Sequence, residues 1–311
     1  MSLCLPPHPH IVRRMAVMSD PPPFTINGLH TPPGKCVYVL TNASTNVCLT
    51  DFFAQQRSHL SQEKLERLVC LVLLQLFLAL HHLHRHGVVH RNITSKSILI
   101  NPDTFHVLLS DYSYALHKKG SFVYSAQEVK QLGGEESFLP PEIVRNSDTA
   151  QELNYSSTDV FEAGCLIYQL LGQEGPFESE PELVHSYAMA DLPPLPPFTP
   201  YSLHLQRIAH LLLDPDPQAR ISAATALQVL SCLLWLPHAW IQQPVPESHV
   251  QNFLIYEKTR TVADLAEMWV KRSARAPSLE ELLKSSFFTL MSTSQILKSL
   301  ESYSNEISSF H

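Results

Sequence analysis

The sequence predicts an α+β chain that is mainly α, and three observations carry that prediction. The longest apolar run, Leu68 to Leu80, covers thirteen residues broken only by Gln75, and reads as a buried core helix. Beyond Pro237 three apolar stripes recur at helical spacing: Val262, Leu265 and Trp269, then Leu279, Leu282, Leu283 and Phe287, then Ile296, Leu300, Tyr303 and Ile307. Ahead of them, the stretch from Cys36 to Thr41 reads as a strand.

Composition bounds the function classes. A chain of 311 residues has room for one large domain or two smaller ones, and a hydrophobic content of 44% supplies ample core. The net charge is −7 and no basic stripe appears, which argues against nucleic acid as the main partner. Six scattered cysteines (Cys4, Cys36, Cys48, Cys70, Cys165, Cys232) form no C-x-x-C pair, which fits a reducing, cytoplasmic setting. The thirteen-residue run falls short of the roughly 20 that a bilayer span requires, so no membrane span is expected. The opening MSLCLPPHPH lacks the basic and long apolar regions of a secretory signal.

Residues 1–35 are proline-rich, with a P-x-x-P from Pro6 to Pro9. A second set runs from Pro193 to Pro200. Two readings stand: rigid ordered connections, or polyproline II segments that dock into SH3 domains. His81, His82, His84, His86 and His90 cluster at the end of a helix, and His82 and His86 have the i, i+4 spacing of a zinc pair. Two further ligands are not evident, so no metal site is expected.

The chemistry-bearing stretch is His90-Arg91-Asn92-Ile93-Thr94-Ser95-Lys96-Ser97. Asp111-Tyr112-Ser113 begins 14 residues past Ser97, and Pro140-Pro141-Glu142 follows. Then come Asp159-Val160-Phe161-Glu162-Ala163-Gly164 and Asp214-Pro215-Asp216-Pro217-Gln218-Ala219-Arg220. In this order and spacing the five resemble the C-lobe motifs of a protein kinase: H-R-D-L-x-x-x-N, D-F-G, A-P-E, the start of the central helix, and the late Arg segment. The resemblance implies that Asp159 hydrogen-bonds the catalytic-loop backbone and that Glu142 and Arg220 form a buried ion pair. His90, Arg91, Asp159, Gly164, Glu142 and Arg220 are thus expected to be structural.

The chemical positions are degenerate. Asn92 stands where a kinase has its proton-accepting Asp, and an amide cannot act as that base. Ser97 stands where the motif has its metal-binding Asn, and is a poor replacement. Asp111 survives alone, and Ser113 replaces a Gly, which is expected to stiffen the activation-loop hinge. The segment His8-Pro9-His10-Ile11-Val12 resembles the turn after helix C of a kinase, and only about 40 residues precede the hinge where a complete N-lobe has about 80. Neither G-x-G-x-x-G nor V-A-I-K occurs, so the N-lobe is expected to be truncated and ATP binding weak or absent. Three regions follow: 1–35 as a proline-rich arm with an N-lobe remnant, 36–237 as the kinase-like domain, and 238–311 as a C-terminal helical extension.

Four stretches resemble the PEAK/pragmin family of pseudokinase scaffolds: Glu66 to Leu76, Asp191 to Pro196, Tyr201 to Leu213 and Val229 to Trp235. That resemblance covers most of residues 37–300. It implies a catalytically inactive scaffold or adaptor in tyrosine-kinase signalling, cytoskeleton organisation and cell migration. SH2/SH3 adaptors and related pseudokinases are the implied partners, and the implied location is cytoplasmic, with cytoskeletal or adhesion association. In the family a helix before the N-lobe joins the C-terminal helices in a dimerisation module, and the residues ahead of the lobe here are expected to leave no room for it. The three C-terminal stripes therefore have two readings, an intrachain cap or an interface between copies or partners. Ser278 and Glu281 form a capping-box pattern opening the second stripe. The competing functions are an atypical protein kinase with weak residual phosphotransfer, and a module that binds a small ligand in the hinge cleft.

Overall fold

The computed structural model describes residues 5–19, 25–26, 29–30, 37–41, 46–118, 121–125, 139–146, 152–173, 176–177, 187, 200–237, 240, 246–270, 292, 294–298 and 300. The described helices are α1 (Leu49–His59), α2 (Gln62–Arg85), α3 (Pro141–Arg145), α4 (Ser156–Leu170), α5 (Pro200–Leu212), α6 (Ala223–Trp235) and α7 (Glu247–Val270). The strands are short: β1 (Arg14–Ser19), β2 (Thr25–Ile26), β3 (Leu29–His30), β4 (Val37–Thr41), β5 (Val47–Cys48), β6 (Val88–Val89), β7 (Ile98–Ile100), β8 (Val107–Leu109), β9 (Leu116–His117), β10 (Val123–Ser125) and β11 (Glu152–Asn154).

The core is built around α2, which packs on α4, α5, α6 and the β7–β8 hairpin. It is longer than its thirteen-residue apolar run, because residues 62–67 and 81–85 continue the helix. At 24 residues, it is long and apolar enough to cross a bilayer by length and composition. Here its apolar sides are covered by protein: Val69, Val72, Leu73, Leu76, Phe77, Leu80 and Leu83 are all buried. Gln75 interrupts the run for a structural reason. Its Oε1 accepts from Val107 N at 2.9 Å and its Nε2 donates to Phe105 O at 3.0 Å, tying the helix to the hairpin. A buried amide without such partners would cost about 1–3 kcal/mol.

The strands matter for what they bring together. β5, β7 and β8 form one antiparallel sheet, with Ile98 opposite Leu109. β6 pairs with β9, placing Val89 opposite Leu116. Residues 90–97 thus bridge β6 to β7, and residues 110–115 bridge β8 to β9, so the two pairings hold both loops side by side. Gly87, at φ 71, makes the turn from α2 into β6.

At the N-terminus β1 pairs antiparallel with β4, with Val17 opposite Val39. The boundary at residue 36 therefore cuts a single two-stranded sheet. Strand pairing across an intervening segment is not local, so the prolines between the two strands masked it. The segment before β1 is fastened to the lobe: His82 Nε2 bonds Pro6 O at 3.2 Å, the rings of His8 and His82 stack at 4.6 Å, and Val12 N donates to Leu109 O at 2.9 Å. Pro6, Pro7 and Pro9 themselves are exposed. The second proline set lies outside the described residues up to residue 199, and Pro200 opens α5.

The C-terminal extension forms a second, smaller apolar cluster. Val250 and Leu254 of α7, together with Ile296, bury against Cys232 and Leu236, and Leu300 packs partly against both this cluster and the main core. Ile296 has no exposed surface left for a partner. Val262, Leu265 and Trp269 lie within α7. Leu279, Leu282, Leu283, Phe287, Tyr303 and Ile307 lie outside the described residues, as do Ser278 and Glu281.

Candidate functional site

A loop without regular backbone pairing must satisfy its amides by other means. Here two carboxylates of α4 do so. Asp159, wholly buried, accepts from His90 N at 3.0 Å and from Arg91 N at 2.7 Å, and also contacts His84 Nε2 at 2.8 Å. Glu162 lies three residues further along α4, on the same face. It accepts from Ile93 N at 2.7 Å. The structure so brings Asp159 and the loop together, and adds Glu162 and His84. The i, i+3 spacing of the two carboxylates was the signal for Glu162.

Beneath the loop, Arg220 and Glu142 meet in a bidentate pair at 2.6 and 2.9 Å, both buried. Arg220 also donates to Ser157 O at 3.0 Å and twice to Asp214 O, and its guanidinium lies 4.9 Å from the Phe161 ring centre. Gly164 is needed for close packing: a Cβ there would lie 2.7 Å from Leu213 Cγ. Arg91 takes φ 64 and donates to Tyr114 O at 3.1 Å. His90 sits buried with its Nε2 at 2.7 Å from Ser110 O, and burial lowers its pKa, so the neutral ring donates there. Tyr112 packs edge-on against His90, and burial pushes its phenol pKa up.

The degenerate positions are connected to one another. Asn92 Nδ2 donates to Asp111 Oδ2 at 2.8 Å. Ser113 Oγ donates to Asp111 Oδ1 at 2.6 Å. Ser97 Oγ turns inward, bonding Asn92 O at 2.5 Å and Thr94 O at 3.0 Å and accepting from Thr94 N at 3.0 Å. The left-handed residue of the second loop is Asp111, at φ 55, and not Ser113. The backbone cost expected at 113 is therefore absent, and the serine's effect comes through its hydroxyl. That hydroxyl was not legible as a donor, because its partner depends on the turn at 111.

Two more of the clustered histidines are structurally occupied. His86 Nδ1 bonds His82 O at 2.8 Å, and His82 bonds Pro6. Among the described residues no group of three or more His, Cys, Asp or Glu is placed to hold a metal ion. A cavity of about 410 Å³ lies at the far end of the loop, against Ser95, Lys96, Arg57 and Gln169, away from Asn92 and Asp111.

The protein kinase domain model matches residues 1–230. The chain belongs to the protein kinase family. It is 31% identical to the inactive tyrosine-protein kinase PRAG1 of Rattus norvegicus, over 91% of this chain and 23% of that protein. It is likewise 31% identical to the inactive tyrosine-protein kinase PEAK1 of Mus musculus, over 85% of this chain and 16% of that one. The chain thus spans less than a quarter of the length of these PRAG1 and PEAK1 relatives. Among solved structures, that of the PEAK1 pseudokinase aligns with a TM-score of 0.72 and 26% identity, covering 96% of this chain and 76% of its own. The resemblance to the PEAK/pragmin group read from the motifs holds over most of the chain, and the fold is kinase-like, mainly α. This is a pseudokinase-type domain: the family scaffold is kept, and an amide stands in place of the base.

Proposed function

We propose that this chain is a catalytically inactive kinase-like scaffold that works through protein contacts, chiefly with copies of itself or with related inactive kinases. One observation carries the reading. At the position where a kinase accepts a proton from the attacking hydroxyl, Asn92 presents an N–H donor, and that donor is directed at Asp111. The pairs that maintain the fold, Asp159 with the loop and Glu142 with Arg220, persist. Retained scaffold and lost chemistry together favour a display surface. ATP binding is weak or absent in this reading, because both Asp111 oxygens already receive hydrogen bonds and Ser97, at the position of the second metal ligand, is bonded into its own loop.

The C-terminal extension supplies the surface. On α7, Ile255 is 58% exposed and Tyr256 63% exposed, while Val250 and Leu254 are turned inward. Large side chains left outside on a helix already anchored to the lobe suit a contact with another chain. A role in tyrosine-kinase signalling, cytoskeleton organisation and cell migration, with SH2/SH3 adaptors and in a cytoplasmic setting, is part of this proposal, as the resemblance to the PEAK/pragmin family implies. Two measurements test the reading. Phosphate transfer to protein substrates with magnesium or manganese ATP is expected to be undetectable; transfer abolished by Asp111→Ala would overturn it. Sedimentation velocity over a concentration series is expected to show self-association that Ile255→Glu/Tyr256→Glu removes. A monomer throughout would end the self-association part. Cutting the chain after 237 is a poor substitute, since it strips Val250, Leu254 and Ile296 from Cys232 and Leu236.

A further inference from the structure

The kinase fold implies a divalent cation held between the Asp of the second loop and the Asn of the first. The donors present here do not fit such an ion. A hard cation needs oxygens that offer lone pairs. Both Asp111 oxygens instead receive hydrogen bonds, Oδ2 from the Asn92 amide and Oδ1 from the Ser113 hydroxyl. Ser97, at the position of the second metal ligand, spends its hydroxyl closing the loop onto Asn92 O and Thr94 O. The amide orientation of Asn92 is fixed by chemistry. A carboxylate can only accept, so Nδ2 must face Asp111, and Oδ1 is left buried without a partner.

We propose that Asn92 stands in for the cation: as a positioning residue it ties the 90–97 loop to the 110–115 loop through Asp111, with Ser113 bracing Asp111 from within its own loop, in an arrangement independent of metal. The inference rests on the inactive-kinase reading and adds how the empty chemistry is made stable. Each replacement is the right kind for this role. Asn for Asp removes a negative charge next to Asp111 and adds a donor in one step. Ser for Gly adds a hydroxyl within 2.6 Å of the other oxygen. With Asp at position 92 these two loops would place two carboxylates together, and like charges that close both ionise only with a counter-ion between them. Arg91 and Asp111 both take left-handed backbone, φ 64 and 55, so each loop needs a fastening that keeps it there.

The test is thermal unfolding of the full chain at fixed neutral pH, in EDTA and in millimolar MgCl₂ or MnCl₂. The unmodified chain is expected to melt within about 1 °C under all three conditions. Asn92→Asp is expected to melt several degrees lower in EDTA, roughly 4 °C or more, and to regain most of the loss with either cation. Ser113→Ala adds no charge; it is expected to lower the melting temperature modestly and to remain indifferent to cation. A merely structural role for Asn92 would give a loss that cation does not restore, and that outcome overturns the proposal. So does a cation-induced rise in the unmodified chain, or an Asn92→Asp variant that melts like the parent in EDTA. If Asn92→Asp does not fold, Ser113→Ala and the unmodified chain decide: no loss in the former, or a cation response in either, rejects the proposal. Phosphate transfer by the unmodified chain would defeat the inactive-kinase reading separately, since the melting series contains no nucleotide.

Discussion

Removing the Glu142 side chain leaves Arg220 a buried cation without its counter-ion. Arg220 makes five hydrogen bonds: two to Glu142, two to Asp214 O and one to Ser157 O. Glu142→Ala cancels the two charge-assisted ones and strands the guanidinium, and breaking such a buried pair costs about 3–5 kcal/mol. Arg220→Met cancels all five. It also strips donors from two carbonyls at about 1–3 kcal/mol for each one left unsatisfied, so it belongs at or beyond the upper end of that range. The double substitution removes both charges together and should cost less than the sum of the singles by at least about 2 kcal/mol. Urea unfolding followed by circular dichroism reads all four corners of this cycle. Single losses below about 1 kcal/mol, or strictly additive ones, would refute the reasoning, because they would mean that water already reaches the pair.

Gly164→Ala puts a methyl 2.7 Å from Leu213 Cγ and is expected to cost about 1–3 kcal/mol, seen as a lower urea midpoint; an unchanged midpoint would show that Leu213 can move aside. Ile296→Ala, at a fully buried position, is expected to destabilise by about 2–5 kcal/mol without changing the sedimenting species. Lost association with unchanged stability would place Ile296 at an interface instead. Acid should loosen the N-terminal segment. Burial lowers the pKa of both His8 and His10 from 6.5 to about 4, with His81 and His82 facing the former and His106 facing the latter. The unfolded chain takes up these protons first, so the stability they confer is complete above pH 6.5 and declines as pH falls toward 4. The melting temperature is expected to drop between pH 6.5 and about 5, above most carboxylate titration, and His10→Gln should make that drop shallower. An identical slope in the variant would remove His10 from the account.

The order and spacing of short motifs determined the family and the main-chain plan, because each constrains backbone geometry locally. His90-Arg91, Asp159, Gly164, Glu142 and Arg220 are readable for that reason, and so is the replacement of the base by Asn92. What Asn92 and Ser113 do was not readable. Their partner is Asp111: Asn92 reaches it only because β6 with β9 and β7 with β8 set two distant loops side by side, and Ser113 reaches it only through the left-handed turn at Asp111. The pairing of β1 with β4 was not readable for the same reason, since it spans a proline-rich stretch. The C-terminal stripes show the limit most clearly. Periodicity says that Ile296 and Leu300 need cover, but not whose. Only the packing against Cys232, Leu236, Val250 and Leu254 assigns Ile296 to the chain's own core and leaves Ile255 and Tyr256 facing out. A helical stripe fixes which residues share a face, while burial depends on which other surface arrives, and that is decided by tertiary structure.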